Sequence, residues 1–171
     1  AVVIVPFLYG VYLTFTSWDG VSSNKPFVGL KNYAAVVADS SFWQSLGLTL
    51  LYVVVSVILV NVIGFLLALL VTGKIKGKNF FRVIFYIPNI LSIVVIAGIF
   101  GAIYNPSTGL LNTFLEAIHL DGLTHKWMAE PNIVIYSVIF ALVWQAIGYY
   151  MVMYMASMAA IPPDYYEAAS L

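Results

Sequence analysis

The sequence predicts an all-α membrane protein, a polytopic helix bundle, and two observations lead to this fold class. The 171-residue chain is 63% hydrophobic and only 8% charged, with a mean hydropathy of +1.00, whereas soluble domains carry roughly 25% charged residues. Four apolar runs without a charged side chain reach or approach the ~20 residues that a spanning helix needs. Membrane barrel strands are only ~9–11 residues long and alternate in polarity, so these runs indicate helices.

The predicted single transmembrane domain follows directly from these runs. It divides into helix 1 over 1–17, an outer loop over 18–45, helix 2 over 46–72, a cytoplasmic loop over 73–82, helix 3 over 83–104, an outer loop over 105–132, helix 4 over 133–161 and the start of a cytoplasmic segment over 162–171. Helix 1 lacks the positive region and cleavage site of a signal peptide, so we interpret it as a clipped membrane helix. Both ends of the chain are interpreted as truncations.

The orientation of these segments rests on their basic residues. The short loop after helix 2 contains Lys74, Lys76, Lys78 and Arg82, and the two longer loops share only Lys25, Lys31 and Lys126. The positive-inside rule therefore places the short loop in the cytoplasm and the two long loops outside. Within the second long loop, helical spacing predicts a surface helix over Gly109–Leu120 with Asn112, Glu116 and His119 on its polar face. Leu30–Trp43 is a weaker candidate for such a helix.

Composition also restricts the chemistry of the chain. A formal net charge of +0 argues against a nucleic-acid partner, which requires a basic surface. Because there is no cysteine, disulfides, thiolate zinc sites and cysteine-ligated iron–sulfur clusters are excluded. His119, Asp121 and His125 lie in an outer loop without fixed helical geometry, so we expect no metal site. With no nucleophile elbow and no paired carboxylates, we expect neither catalytic residues nor a cofactor.

The last stretch, beginning Ile161-Pro162-Pro163, predicts a short polar helix directly after a membrane segment. Proline suits the first turn of a helix, and Asp164 and Glu167 fall where the macrodipole favours negative charge. Ala168 and Ala169 leave that face small enough for close contact with a partner. From spacing alone, a well-capped helix start and a docking helix are equally compatible with the pattern.

The same stretch resembles the EAA loop of permease subunits of binding-protein-dependent ABC importers. The resemblance implies a cytoplasmic coupling helix that docks on a separate ATPase subunit, formed here by Pro163, Asp164, Tyr165, Tyr166, Glu167, Ala168 and Ala169. Glu167 is expected to fix the docking, and Tyr165 and Tyr166 to pack against the partner or the membrane surface. The family pattern continues to a glycine beyond the alanines, and this chain ends at Leu171.

Further stretches resemble the carbohydrate class of these permeases, which includes the maltose and glycerol-phosphate importers. They are Phe27–Tyr33, Arg82 with the run to Pro88-Asn89, Tyr104-Asn105-Pro106, Gly109–Asn112, and Trp144, Gly148 and Met151. The resemblance implies four of about six core helices, in a multi-pass protein of the cytoplasmic (inner) membrane in contact with its lipid. It also implies alternating access for a sugar or polyol, ATP hydrolysis on the ATPase subunit, a second permease subunit and an extracytoplasmic solute-binding protein.

Polar residues inside the predicted helices suggest where a sugar would pass. Gln145 and Tyr149 are four apart on helix 4 and share a face, and Trp144 offers a flat ring beside them. We interpret these three as lining the path, with Asn89 and Ser92 near a kink at Pro88 in helix 3. Equally compatible is that Gln145 hydrogen-bonds a neighbouring helix. The kink is compatible with a gate, although strain relief is the simpler interpretation.

Two other functions remain open from sequence alone. An ion-coupled secondary transporter needs no ATPase, but the four runs contain no acid to carry an ion. A membrane enzyme acting on lipids is remote, since the loops lack a catalytic constellation. The lysine-rich stretch Gly73–Lys78 fails as a phosphate-binding loop, because its glycines are one residue too close and Asn79 replaces the Ser or Thr.

Overall fold

The computed structural model describes residues 2–73, 76–162 and 164–165, and it is helical throughout its regular parts. The helices are α1 (Ile4–Leu13), α2 (Lys31–Ala38), α3 (Ser40–Thr72), α4 (Lys78–Ile90), α5 (Ile93–Ile103), α6 (Leu110–Ala117) and α7 (Val134–Ala159), with a 3-10 turn at Asp121–Leu123. Among the described residues, α3 and α7 are long and apolar enough to cross a membrane, and α4 with α5 makes a third span if the bent pair is counted as one. The all-α membrane fold predicted from sequence is confirmed. The chain forms two compact units, Ala1–Leu50 and Leu51–Leu171.

In the first unit, α1 ends at Leu13, earlier than the helix expected over 1–17. Thr14 and Thr16 turn their hydroxyls back to the carbonyls of Val11 and Leu13, and Thr16 then pairs with Phe27 in an isolated antiparallel bridge. Asn32 supports this turn by donating its side-chain amide to the carbonyls of Thr14 and Thr16, both at 2.9 Å. Asn32, within the stretch 27–33, therefore stabilises the turn that follows α1.

The start of α3 lies six residues before the predicted helix 2, at Ser40. Asp39 has an extended backbone, and its carboxylate accepts a hydrogen bond from the Ser41 N–H at 2.8 Å. A short acidic side chain that accepts from the first turn is a favoured N-cap. The Asp-Ser-Ser sequence carried this signal, and hydropathy alone did not detect it.

In the second unit, α7 packs against α3 through buried apolar side chains. Val60 of α3 meets Ile139 and Val143 of α7, and further along Ala68 and Val71 of α3 meet Met151. Gly64 permits this approach, because a Cβ atom there would lie 2.8 Å from the Cβ of Tyr150. A hydrogen bond of 2.7 Å from the Tyr154 hydroxyl to Asn61 Oδ1 joins the same two helices. The small pair Gly64 and Ala68 is thus a helix contact, as such pairs are in membrane bundles.

The contact between α4 and α7 is closer still and depends on Gly148. A Cβ atom at Gly148 would lie 2.0 Å from the carbonyl oxygen of Phe85 and 2.8 Å from the Cα of Tyr86. Distances this short leave no room for any side chain, so the two backbones are in direct contact. Gly148 therefore determines how deeply α4 seats against α7.

Candidate functional site

The stretch predicted as helix 3 is two helices, α4 and α5, whose axes differ by 101°. The break lies at Leu91 and Ser92, which both have extended backbone angles. The sequence predicts a kink at Pro88 within one continuous helix, so the structure differs from that prediction. Pro88 is buried within the last turn of α4, where its missing N–H leaves the carbonyl four residues earlier without its helical donor. Ser92 acts as the N-cap of α5, its hydroxyl accepting from the Val95 N–H at 3.4 Å. Ser92 thus caps the next helix, α5.

Gln145 reaches this break from the middle of α7. Its side-chain amide donates to the carbonyl oxygen of Leu91 at 3.3 Å. In a continuous helix this carbonyl would accept from the Val95 N–H, which here points to Ser92 instead. An unpaired backbone carbonyl in an apolar setting is costly, and the half-buried Gln145 supplies the missing donor. Of the two interpretations of Gln145, the bond to a neighbouring helix is present.

The five predicted path residues are only partly brought together. Gln145, Asn89 and Ser92 belong to the break region, with Asn89 half-buried and Ser92 exposed. Trp144 projects elsewhere, against Phe100 of α5, with ring centroids 5.4 Å apart. Tyr149 is 49% exposed. Gln145 and Tyr149 therefore lie on the same face of α7, as predicted, but Gln145 is half-buried and Tyr149 is exposed.

Two cavities lie between α5 and α7. One of 280 Å³ is lined mainly by apolar residues together with Gln145 and Tyr52. The other, of 490 Å³, has an aromatic wall of Phe100, Tyr104, Trp127, Tyr136, Phe140 and Trp144. Such aromatic surfaces with few polar groups are typical of small-molecule sites that hold flat or apolar faces.

An amide network adjoins the second cavity, whose wall it shares through Tyr104 and Trp127. Asn112 was expected on the polar face of its helix, but it is only 6% exposed. Its Oδ1 accepts from the Trp127 indole N–H at 2.7 Å, and its Nδ2 donates to the carbonyls of His125 at 3.0 Å and Pro106 at 3.3 Å. Trp127 in turn stacks on Tyr104, whose hydroxyl donates to the Ser137 carbonyl at 3.1 Å. Asn112 is thus an organising residue that helical periodicity placed on the wrong face.

Gly109 explains why α6 can begin where it does. A Cβ atom at Gly109 would lie 2.2 Å from the carbonyl oxygen of Asn105 and 2.5 Å from that of Ile103. The turn before α6 is therefore too tight for a side chain. The stretch Gly109–Asn112 thus combines a glycine for the turn with an amide for the network.

Beside this network, His125 Nδ1 and Glu130 Oε2 are hydrogen-bonded at 3.0 Å. Glu130 also accepts from the Lys126 backbone N–H at 2.7 Å. That N–H is the largest cause that lowers the pKa of Glu130 below its ordinary value, and the neighbouring His125 and Lys126 side chains act in the same direction. Among the described residues, no group of three His, Asp or Glu side chains is arranged to hold a metal ion.

We expect the charge of Glu130 to stabilise the fold fully above the ordinary carboxyl pKa of 4.5. Because the folded-state pKa is lowered, this stability is present above the unfolded pKa and is lost as pH falls through the folded value. Glu130→Gln should melt below wild type at neutral pH, and the difference should vanish in acid. The measurement is Tm against pH in detergent, with Glu116→Gln, an exposed carboxylate on α6, as control. A gap between wild type and Glu130→Gln that is constant with pH would contradict the expectation.

The predicted coupling residues fall mostly beyond this description. Pro163, Tyr166, Glu167, Ala168 and Ala169 lie outside the described residues. Asp164 and Tyr165 are helical and exposed, and the Tyr165 N–H donates to the Pro162 carbonyl at 3.2 Å.

Comparisons with known proteins agree with this fold. No family model matches the chain. The probable ABC transporter permease protein YurN of Bacillus subtilis is 41% identical over 171 residues, covering 99% of this chain and 59% of YurN. The probable starch degradation products transport system permease protein AmyD of Thermoanaerobacterium thermosulfurigenes is 36% identical, covering 99% of this chain and 56% of AmyD. The chain thus spans rather more than half the length of these relatives.

A solved structure has the same fold. The crystal structure of a bacterial ABC transporter involved in the import of alginate superimposes with a TM-score of 0.81 at 24% identity, over 98% of this chain and 56% of that one. The similarity in sequence to YurN covers 99% of the chain, and the similarity in fold to this structure covers 98% of it. Over nearly all of its residues, the chain is therefore similar in sequence to proteins named as ABC transporter permeases.

Proposed function

We propose that the chain is part of a permease subunit of an ATP-driven importer, moving a sugar or related polyol across the cytoplasmic membrane by alternating access. The observation that carries this proposal is the 41% identity to YurN over 99% of the chain. The printed name of AmyD, a transport system for starch degradation products, supports a carbohydrate as the cargo class. ATP hydrolysis then occurs on a separate subunit, so this chain is no enzyme itself.

The substrate path in this proposal follows α7 beside the broken helix. Tyr149 offers an exposed ring and hydroxyl, and Gln145 borders the 280 Å³ cavity. Trp144 contributes from the second cavity, where its ring stands edge-on to that of Phe100. A sugar needs aromatic faces for its ring and hydrogen-bonding groups for its hydroxyls, and these residues supply both. Asn89 and Ser92 flank the break and complete the polar lining.

Partners and placement follow from the same proposal. The basic residues of the loop after α3 favour a cytoplasmic position for that loop. The segment 162–171 then lies on the same side, where Asp164 and Tyr165 are exposed to an ATPase subunit. A second permease subunit completes the translocation pathway, and an extracytoplasmic solute-binding protein delivers the sugar to the opposite face.

Charge reversal at Glu167 tests this assignment. The full-length protein, wild type or Glu167→Lys, is purified in mild detergent from its native membrane, and the co-purifying proteins are identified. We expect a nucleotide-binding ATPase with wild type and its loss from Glu167→Lys, because the lysine opposes a docking face built for a carboxylate. ATP-dependent sugar uptake should fall with it.

The matched control is Glu116→Lys on α6, which makes the same charge change on an exposed residue of the predicted outer surface. It should keep the ATPase. If neither wild type nor Glu116→Lys retains an ATPase and uptake follows an ion gradient, the chain is a secondary transporter and the proposal fails.

A further inference from the structure

The two halves of the broken helix are attached to α7 in different ways. At Gly148, α4 meets α7 backbone to backbone, with no room for a side chain between the two helices. Contact between α5 and α7 is made by side chains, chiefly the ring of Phe100 against Trp144 at 5.4 Å and Phe140 at 6.1 Å. Space remains along α5: a Cβ atom at Gly98 or Gly101 would meet nothing within 4 Å. Thus α4 is in direct backbone contact with α7, whereas α5 lies beside two cavities that separate part of it from α7.

Polar ties at the two ends of α5 complete this arrangement. Within the described part of the second unit, hydrogen bonds join this segment to α7 at two points, Gln145 to the Leu91 carbonyl and Tyr104 to the Ser137 carbonyl. The first is at the break and the second follows the last turn of α5. Between them lie apolar and aromatic contacts that have no required direction.

We infer that Leu91–Ser92 is the pivot about which α5 swings during transport, and that Gln145 is the positioning residue that holds this pivot on α7. This inference rests on the proposed function, and it gives Gln145 a role apart from contact with sugar. When α5 swings away from α7, the Tyr104–Ser137 bond opens while the Gln145–Leu91 bond persists. Extended residues at the end of an element are the usual place for such a rotation. The two cavities supply the room into which side chains move.

The test uses the full-length protein with its partner subunits in lipid nanodiscs and proteoliposomes. The 171 residues contain no cysteine, so cysteines at the exposed Val83 on α4 and at Gly101 on α5 provide two spin-label sites within them. Distances between the labels are measured by electron–electron resonance without nucleotide and with vanadate-trapped nucleotide. Gln145→Met removes the donor at similar side-chain length, and Tyr154→Phe, which removes the Asn61 bond between α3 and α7, is the control.

We expect the wild-type distance to differ between the two nucleotide states. Gln145→Met should broaden the distribution and lower the sugar transported per ATP by about fivefold, the factor given by one hydrogen bond of ordinary net strength. Tyr154→Phe should behave as wild type, because it removes a bond between α3 and α7 only. Tyr104→Phe releases the opposite end, so it should shift the wild-type distribution toward the swung state even if Gln145→Met is poorly folded.

Three results overturn the inference. One is a wild-type label distance that does not change while ATP-driven uptake proceeds. Another is a Gln145→Met distribution identical to wild type. The last is a raised KM with unchanged transport per ATP, which assigns Gln145 to sugar contact. Uptake driven by an ion gradient would overturn the proposed function instead, and label distances with and without sugar would still decide the pivot.

Discussion

Replacing Gly148 with alanine is expected to unseat α4 from α7. The new methyl group would lie 2.0 Å from the Phe85 carbonyl oxygen, so the helices must separate along their whole contact. Overpacking a core costs typically about 1–3 kcal/mol, and a backbone-to-backbone contact that cannot yield belongs at or above that upper limit. We expect a large loss of thermal stability in detergent, measured as Tm, together with poor recovery of folded protein.

The control for this prediction is Gly98→Ala on α5, where a Cβ atom has nothing within 4 Å. Alanine is favoured over glycine inside a helix by roughly 0.5–1 kcal/mol, so this variant should be as stable as wild type or slightly more stable. Equal Tm values for Gly148→Ala and Gly98→Ala would show that the close approach of α4 and α7 does not exist.

Asn112→Ala is expected to have the second largest effect. The substitution removes the acceptor of the Trp127 indole N–H and the donor to the carbonyls of Pro106 and His125, and the Asn112 side chain that makes these bonds is only 6% exposed. Each buried polar group left without a partner costs about 1–3 kcal/mol, and the tryptophan loses its anchor. We expect a marked drop in Tm and a changed Trp127 fluorescence environment at temperatures below unfolding.

Thr113→Ala, at the exposed next position of α6, is the matched control and should leave both signals unchanged. Asn112→Asp gives a finer test, because it keeps the acceptor for Trp127 and loses the donor. Its stability should fall between those of wild type and Asn112→Ala. A Tm for Asn112→Ala equal to that of wild type would contradict the prediction that the Asn112 hydrogen bonds stabilise this loop.

The sequence was sufficient for the fold class because hydropathy is a local property. Uncharged runs of spanning length predict helices whatever they pack against, and α3 and α7 are the two longest. The break after α4 is different. Pro88 correctly predicted irregular structure, but the chain turns at Leu91 and Ser92. The Leu91 carbonyl, which has no helical donor there, accepts a hydrogen bond from Gln145, 54 residues further along the chain. No local pattern contains that partner.

The polar residues show the same limit at the site. Helical spacing put Asn112 on a polar face, and an asparagine buried by its contacts with loop residues gives no periodic signal that distinguishes it from a solvated one. Spacing also put Gln145 and Tyr149 on one face, correctly for one helix. The neighbouring break then covers Gln145 and leaves Tyr149 exposed. Residue type and spacing identified polar positions, and only tertiary packing assigned their partners.

The Gln145–Leu91 bond also constrains how the protein is made. Ribosomes produce α4 and α5 before α7, so the break enters the membrane with the Leu91 carbonyl still lacking its partner 54 residues ahead. Backbone groups in that condition are poorly tolerated by lipid. We therefore expect the nascent α4–α5 pair to remain bound to the insertion machinery until α7 has been synthesised. The three helices would then be released into the lipid together, in one late step of biogenesis.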